Sequence, residues 1–135
     1  MTYQFDMFNQ GSASQFGERQ TDLEELIEEV KRNTKVLVGC ETSGIVRQAF
    51  LDQGYDTWSC DLLPSDTPSN RHIQGDVRDV MTQDNFDLVF IGHPPCTRLC
   101  NSGVRWLSKA PPNKTLEEMW RQLDEGAELF SDLWN

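Results

Sequence analysis

The residues of this chain best suited to chemistry lie in the loop Gly92-His93-Pro94-Pro95-Cys96-Thr97, where two prolines precede a cysteine. Proline fixes its own φ and restricts the residue before it, so consecutive prolines hold the direction in which the next side chain leaves the backbone. A nucleophile needs that fixity. Cysteine is mostly protonated at neutral pH, so a catalytic Cys96 also needs a group that lowers its pKa or takes its proton. His93, Arg98 and the amides of a following turn are the local candidates. The competing reading is a structural thiol at a strand end, the ordinary fate of a cysteine, and Cys100 reads that way.

Three acids complete the chemistry. The segment Gly39-Cys40-Glu41-Thr42-Ser43-Gly44 follows a β-branched run and precedes helical spacing, so Gly39, Ser43, Gly44 and the local amides, with Glu41, form a turn that a nucleotide-like ligand can approach closely. Asp61 follows a second strand, where an acid commonly accepts hydrogen bonds from a ribose diol. Asp76, after Gly75 and a third short strand, is placed to reach an adenine amino group. Each acid alone is equally well a solvated loop residue or a helix cap. Three along one sheet edge point to a nucleoside-bearing ligand, and the lack of a Gly-x-Gly-x-x-Gly run disfavours a dinucleotide dehydrogenase.

The elements that must position these residues alternate. Residues 35–40 read as a strand, 45–53 as a helix closed by Gly54, 55–60 as a strand, 71–74 as a brief strand and 87–91 as the most apolar strand. Two helices flank this core. One is expected to start at Thr21 with the capping-box pattern Thr21-Asp22-Leu23-Glu24 and to present Leu23, Leu26, Ile27 and Val30 to a packing partner. The other opens with Thr115-Leu116-Glu117-Glu118 and carries Met119, Trp120, Leu123, Phe130, Leu133 and Trp134 on its apolar face. Such alternation implies an α/β fold whose mainly parallel sheet has helices on both faces and binds ligands at the strands' carboxyl ends. Residues 1–19, with no sustained period, read as a flexible arm, and residues 20–135 as one domain.

Composition narrows the class. With 135 residues there is room for one hydrophobic core, and no apolar run approaches the roughly 20 residues that span a bilayer. No membrane association and a cytoplasmic location are therefore expected. The four cysteines form no Cys-x-x-Cys pair, and with His72 and His93 they match no common zinc spacing, so reduced thiols and no metal are expected. The net charge of −10 argues against a nucleic-acid partner until its distribution is considered. Residues 1–30 hold seven acids against one base and residues 111–135 six against two, while the central segment is balanced. Two solvated helix faces explain this most simply; a DNA-mimicking surface is the alternative.

A glycine-containing turn after the first strand, an acid after the second, Gly75-Asp76 after the third and Pro94-Pro95-Cys96 after the fourth resemble, in that order, the motifs of cytosine-C5 DNA methyltransferases. The resemblance covers residues 35–103. It implies the Rossmann-like methyltransferase sheet and S-adenosyl-L-methionine as methyl donor, with Gly39, Glu41, Ser43 and Gly44 near its methionine portion, Asp61 at its ribose, Asp76 at its adenine and Pro94 beside it. It implies DNA as partner, with Cys96 adding to C6 of a flipped cytosine and Arg98, Ser102 and Arg105 contacting base or phosphate. The departures are equally definite. Thr97 stands where the family has Gln, and the first turn lacks an aromatic residue. No Glu-Asn dipeptide, whose carboxyl group binds the cytosine ring, occurs in the sequence, nor does a target-recognition region. The chain is thus expected to represent the N-terminal part of such a domain, incomplete on its C-terminal side, with the last helix offering Trp120, Phe130 and Trp134 to a second copy or subunit.

Two rivals remain. Amino-methyltransferases carry an Asp-Pro-Pro-Tyr or Asn-Pro-Pro-Tyr loop, which His93-Pro94-Pro95-Cys96 matches only in its prolines. A partial or degenerate methyltransferase fold that binds without catalysis is the non-enzymatic alternative.

Overall fold

The computed structural model describes residues 12–83 and 85–135. Five helices and four strands follow in the order α1 (Ser12–Asn33), β1 (Lys35–Gly39), α2 (Ile45–Asp52), β2 (Asp56–Asp61), β3 (His72–Gln74), α3 (Val77–Gln83), β4 (Leu88–Ile91), α4 (Asn101–Val104) and α5 (Leu116–Trp134), with a 3₁₀ turn at Arg105–Leu107 between the last two helices. The strands form one sheet in the order β3-β2-β1-β4, and every pairing is parallel. This is the expected α/β architecture, a Rossmann-like parallel sheet flanked by helices.

The register explains the burial. Leu37 pairs with Trp58 and Val89, and Gly39 with Cys60 and Ile91, so these side chains share one face. There Leu37, Cys60 and Val77 form a buried cluster against Val80 and Met81 of α3 and Leu129 and Leu133 of α5. A fully buried leucine such as Leu37 contributes on the order of 2 kcal/mol. The opposite face, carrying Val36, Val38, Thr57 and Ser59, is covered by α2 and buries polar groups instead. The Arg47 guanidinium donates to Ser59 Oγ at 2.5 Å, Ser59 Oγ lies 2.9 Å from His72 Nδ1, and His72 Nε2 lies 3.0 Å from the Leu63 carbonyl. A carbonyl only accepts, so His72 presents a proton on Nε2 to Leu63.

The helices differ most from expectation. Helix α1 is already formed at Ser12, ahead of Thr21, whose hydroxyl donates to the Gly17 carbonyl at 2.9 Å as a mid-helix threonine does. Of the expected arm, residues 1–11 lie outside the described residues. The α1 stripe Leu23, Leu26, Ile27 and Val30 stays at least 44% exposed, so the expected packing partner is not in this chain's described structure. The capping box at Thr115 is formed with both of its hydrogen bonds. Among the described residues no helix is long and apolar enough to cross a membrane.

Candidate cofactor and nucleophile site

Chain direction sets the site. After β1 the chain moves to β2 and β3 on one side, and only later returns to place β4 on the other, so the carboxyl ends of β1 and β4 flank a topological switch point. Beyond the last strand residues the pairing continues: Gly92 N–H donates to the Gly39 carbonyl at 2.8 Å and His93 N–H to the Cys40 carbonyl at 3.1 Å. The proline loop is thereby held against the end of β1. A cavity of about 640 Å³ opens at this edge. Its walls are Cys40, Asp61 and Leu62 at the ends of β1 and β2, residues 75–78 at the start of α3, His93, Pro95, Thr97 and Arg98 of the loop, Lys114, and Gln122, Glu125, Gly126 and Leu129 of α5. The volume falls in the range of small-molecule and cofactor sites.

The three sequence-predicted acids have different fates. Asp61 lines the cavity; one carboxylate oxygen accepts the Leu63 amide at 3.0 Å, which fixes the side chain and leaves the other oxygen available. Asp76 also lines the cavity, but both of its oxygens are taken by the Arg78 guanidinium, at 3.0 and 2.6 Å, and Arg78 reaches on to Asp132 at 2.8 Å. The Arg78 side chain holds the Asp76 carboxyl below the usual carboxylate range, more than offsetting its partial burial. Glu41 does not line the cavity. It is 2% exposed, and its carboxylate accepts from Ser43 Oγ and the Val46 amide, both at 2.8 Å, and from the Arg47 amide at 3.3 Å. It therefore occupies the free amides at the N-terminus of α2, the groups that the sequence offers to an incoming anion.

The small residues of the first turn serve packing. A Cβ on Gly39 would come within 2.5 Å of Val77 and 2.9 Å of Ile91, so this glycine lets α3 pack on the sheet beside the Ile91 side chain of the neighbouring strand β4. Gly44 is the N-cap of α2 with φ at 74°, a conformation that glycine adopts without strain. Ser43 is turned to Glu41, and Pro94 is half-buried between the cavity residues His93 and Pro95 without lining the cavity itself. Of the residues expected at the cofactor, the structure brings Asp61 and Asp76 together at the cavity and leaves Gly39, Glu41, Ser43, Gly44 and Pro94 off it.

Cys96 is exposed, with its neighbours Pro95 and Thr97 on the cavity wall, and its carbonyl accepts the Leu99 and Cys100 amides at 2.9 and 3.1 Å. Arg98, expected at the substrate, lines the cavity and donates from Nε to Gln122 Oε1 at 2.9 Å. Ser102 and Arg105 lie off it: Ser102 Oγ is 3.1 Å from Cys100 Sγ, and Arg105 stacks over Trp106 at 4.7 Å. No family model, curated protein or solved structure matches the chain.

The thiols then separate by environment. The Ser102 hydroxyl, and after it the Gly103 amide, lower the Cys100 pKa. Burial first, then the charges of Asp61 and Asp76, raise that of Cys40, and burial pushes Cys60 up to about 11. Gly103 is fixed by contact: a Cβ there would sit 1.7 Å from the Thr97 carbonyl oxygen. Sequence reasoning missed Arg78, Lys114, Gln122 and Glu125 as cavity residues. The spacing of Gln122, Glu125, Gly126 and Leu129 is that of one helix face, but a mixed polar and apolar stripe carries no signal that separates a cavity wall from a solvated surface.

Proposed function

We propose that the chain is an S-adenosylmethionine-dependent methyltransferase of the cytosine-C5 type acting on DNA, with Cys96 as nucleophile, and that it belongs in the cytoplasm, where its four free thiols stay reduced. The observation that carries this reading is the cavity, which joins Asp61 and Asp76 at one side to the proline loop at the other, at the switch point of a parallel sheet. The residues fit the nucleoside part of the cofactor. Asp61 has a carboxylate oxygen available for a ribose diol, and Leu62, Val77 and Leu129 provide apolar surface for a base. S-adenosylmethionine, when bound, supplies an electrophilic methyl group.

This chain's own contribution to the chemistry is at the loop. The Cys96 thiol gives its proton to solvent, and the thiolate forms a bond to C6 of cytosine as the C5–C6 double bond opens and its electron pair passes to C5. After methylation, loss of the C5 proton expels the thiolate and restores the aromatic ring and the free enzyme. DNA containing 5-fluorocytosine tests the step, because fluorine at C5 cannot leave as a proton. With S-adenosylmethionine present, the protein is expected to form a denaturant-stable adduct that Cys96→Ser abolishes. An adduct that survives that substitution, or S-adenosylmethionine binding with no adduct, sinks the reading.

A second reading, ligand binding without methyl transfer, is favoured by two observations. Cys96 does not itself line the cavity, and no Glu-Asn pair is present to bind the cytosine ring. Calorimetric binding of S-adenosylmethionine without turnover on any DNA would support it. The exposed Trp120, Phe130 and Trp134 of α5 also favour a second copy as partner, with sedimentation velocity at rising concentration as the check.

A further inference from the structure

The charged groups around the cavity are unevenly compensated. Asp76 and Asp132 share the one cation Arg78, and Glu125 pairs with Arg121 at 2.7 Å. Asp61, Arg98 and Lys114 are left, and among the described residues none of them forms an ion pair. Asp61 stands at the end of β2. Arg98 belongs to the proline loop, and Lys114 to the turn before α5, where its amide donates to the Pro111 carbonyl at 3.0 Å. The cavity wall therefore carries one acceptor, Asp61, and two cations, Arg98 and Lys114, that no carboxylate among the described residues pairs. The usual receiver of an anion in a sheet of this type, the amides that open the first crossover helix, is closed here by Glu41.

We infer that the ligand of this cavity is a ribonucleoside with an anionic tail, its ribose at Asp61 and its anion held by Arg98 and Lys114 rather than by the β1–α2 turn. This rests on the reading of the cavity as a nucleoside site and adds where the tail goes. Arg98 is suited to holding an anion because Gln122 takes Nε and orients the guanidinium plane, which leaves its terminal nitrogens to donate. Lys114 is exposed on a short turn and adds a movable point charge. A carboxylate, as in the zwitterionic amino-acid tail of S-adenosylmethionine, and a phosphate, as in a nucleotide, each present anionic oxygens to these two cations.

Isothermal titration of the full chain with adenosine, S-adenosylhomocysteine and adenosine 5′-monophosphate separates the possibilities. At least one of the two ligands that carry an anionic group, the carboxylate of S-adenosylhomocysteine or the phosphate of adenosine 5′-monophosphate, is expected to bind about tenfold or more tightly than adenosine, a gain typical of charge-assisted hydrogen bonds. Arg98→Met and Lys114→Met should each remove about tenfold of that ligand's affinity and leave adenosine within about twofold. Arg98→Lys should restore part of the loss, and unchanged thermal midpoints for all three variants would show that folding is intact. A preference for the phosphate supports the cationic subsite while overturning methyl transfer; a preference for S-adenosylhomocysteine supports both. If the variants lose adenosine equally, or lose neither anionic ligand, the subsite is wrong although the nucleoside site stands. If none of the three ligands binds, the nucleoside reading itself falls, and the inference with it.

Discussion

The two loops that leave the sheet on either side of the switch point, residues 40–44 after β1 and 92–100 after β4, have opposite characters. Apart from Cys40, which lines the cavity, the first is turned inward. Glu41 gives its carboxylate to the α2 amides, and desolvation raises the Cys40 thiol. The second is turned outward: Cys96 is exposed, His93, Pro95, Thr97 and Arg98 face the cavity, and the Cys100 thiol is lowered by Ser102 and Gly103. This contrast separates a closed turn from a loop that faces the cavity. A turn that resembles a cofactor loop in sequence has already committed its amides to its own side chain, and the open groups are on the partner loop.

Removing Glu41 should break the closed turn most strongly. Glu41→Ala leaves the Val46 and Arg47 amides and the Ser43 hydroxyl without their acceptor and opens a void, partly offset by relief of a buried charge. The expected loss is about 2–3 kcal/mol in urea unfolding. Binding of adenosine, measured by calorimetry at a temperature where the variant is folded, should stay within a factor of about two because Glu41 does not line the cavity. Unchanged stability would mean that the turn is not held by this carboxylate. A large loss of affinity without a loss of stability would place Glu41 at the ligand after all.

That role was not legible in the sequence, and the reason is physical. Strand ends, Gly54 as helix closer and the Thr115 capping box follow from patterns a few residues long, so the positions of the β-strands and of α5 were readable. The hydrogen bonds of Glu41 are equally local, but residue type does not reveal whether a carboxylate at a strand end turns toward a helix terminus or toward a ligand. Asp61 and Asp76 reach the cavity as the acid-after-strand pattern suggested, yet Arg78, two residues on, captures Asp76, and only the placement of α5 adds Asp132 to that guanidinium. Helix α3 itself, with Val77, Val80 and Met81 on its inner side, is too short to stand out by period, and the turns of α1 before Thr21 carry no sustained apolar period.

The thiols carry the contrast into reactivity. A raised pKa keeps a thiol protonated until the pH passes that value, and a lowered one admits the thiolate earlier. Alkylation with iodoacetamide followed by peptide mass spectrometry from pH 6 to 9 should therefore modify Cys100 at lower pH than Cys40, and leave Cys60, pushed up to about 11 and buried, for last. Ser102→Ala should slow Cys100 about threefold or more at pH 7 through loss of a thiolate-stabilising hydrogen bond. Equal rates at Cys40 and Cys100 would erase the contrast between the two loops.

The smallest effect probes how rigid the open loop is. Gly126 lies inside α5, and a Cβ there would be 3.4 Å from both the Pro95 carbonyl oxygen and Leu99 Cδ1, at the edge of ordinary contact. Alanine in a helix interior gains about 1 kcal/mol over glycine. If the proline loop yields by a few tenths of an ångström, Gly126→Ala should stabilise the protein by about 0.5 kcal/mol and raise the melting midpoint by about 2 °C. A loss of about 1 kcal/mol instead would mean that Pro95 cannot shift. The loop carrying Cys96 would then be as fixed as the β1 turn, held by backbone packing against α5 where the other is held by a buried carboxylate.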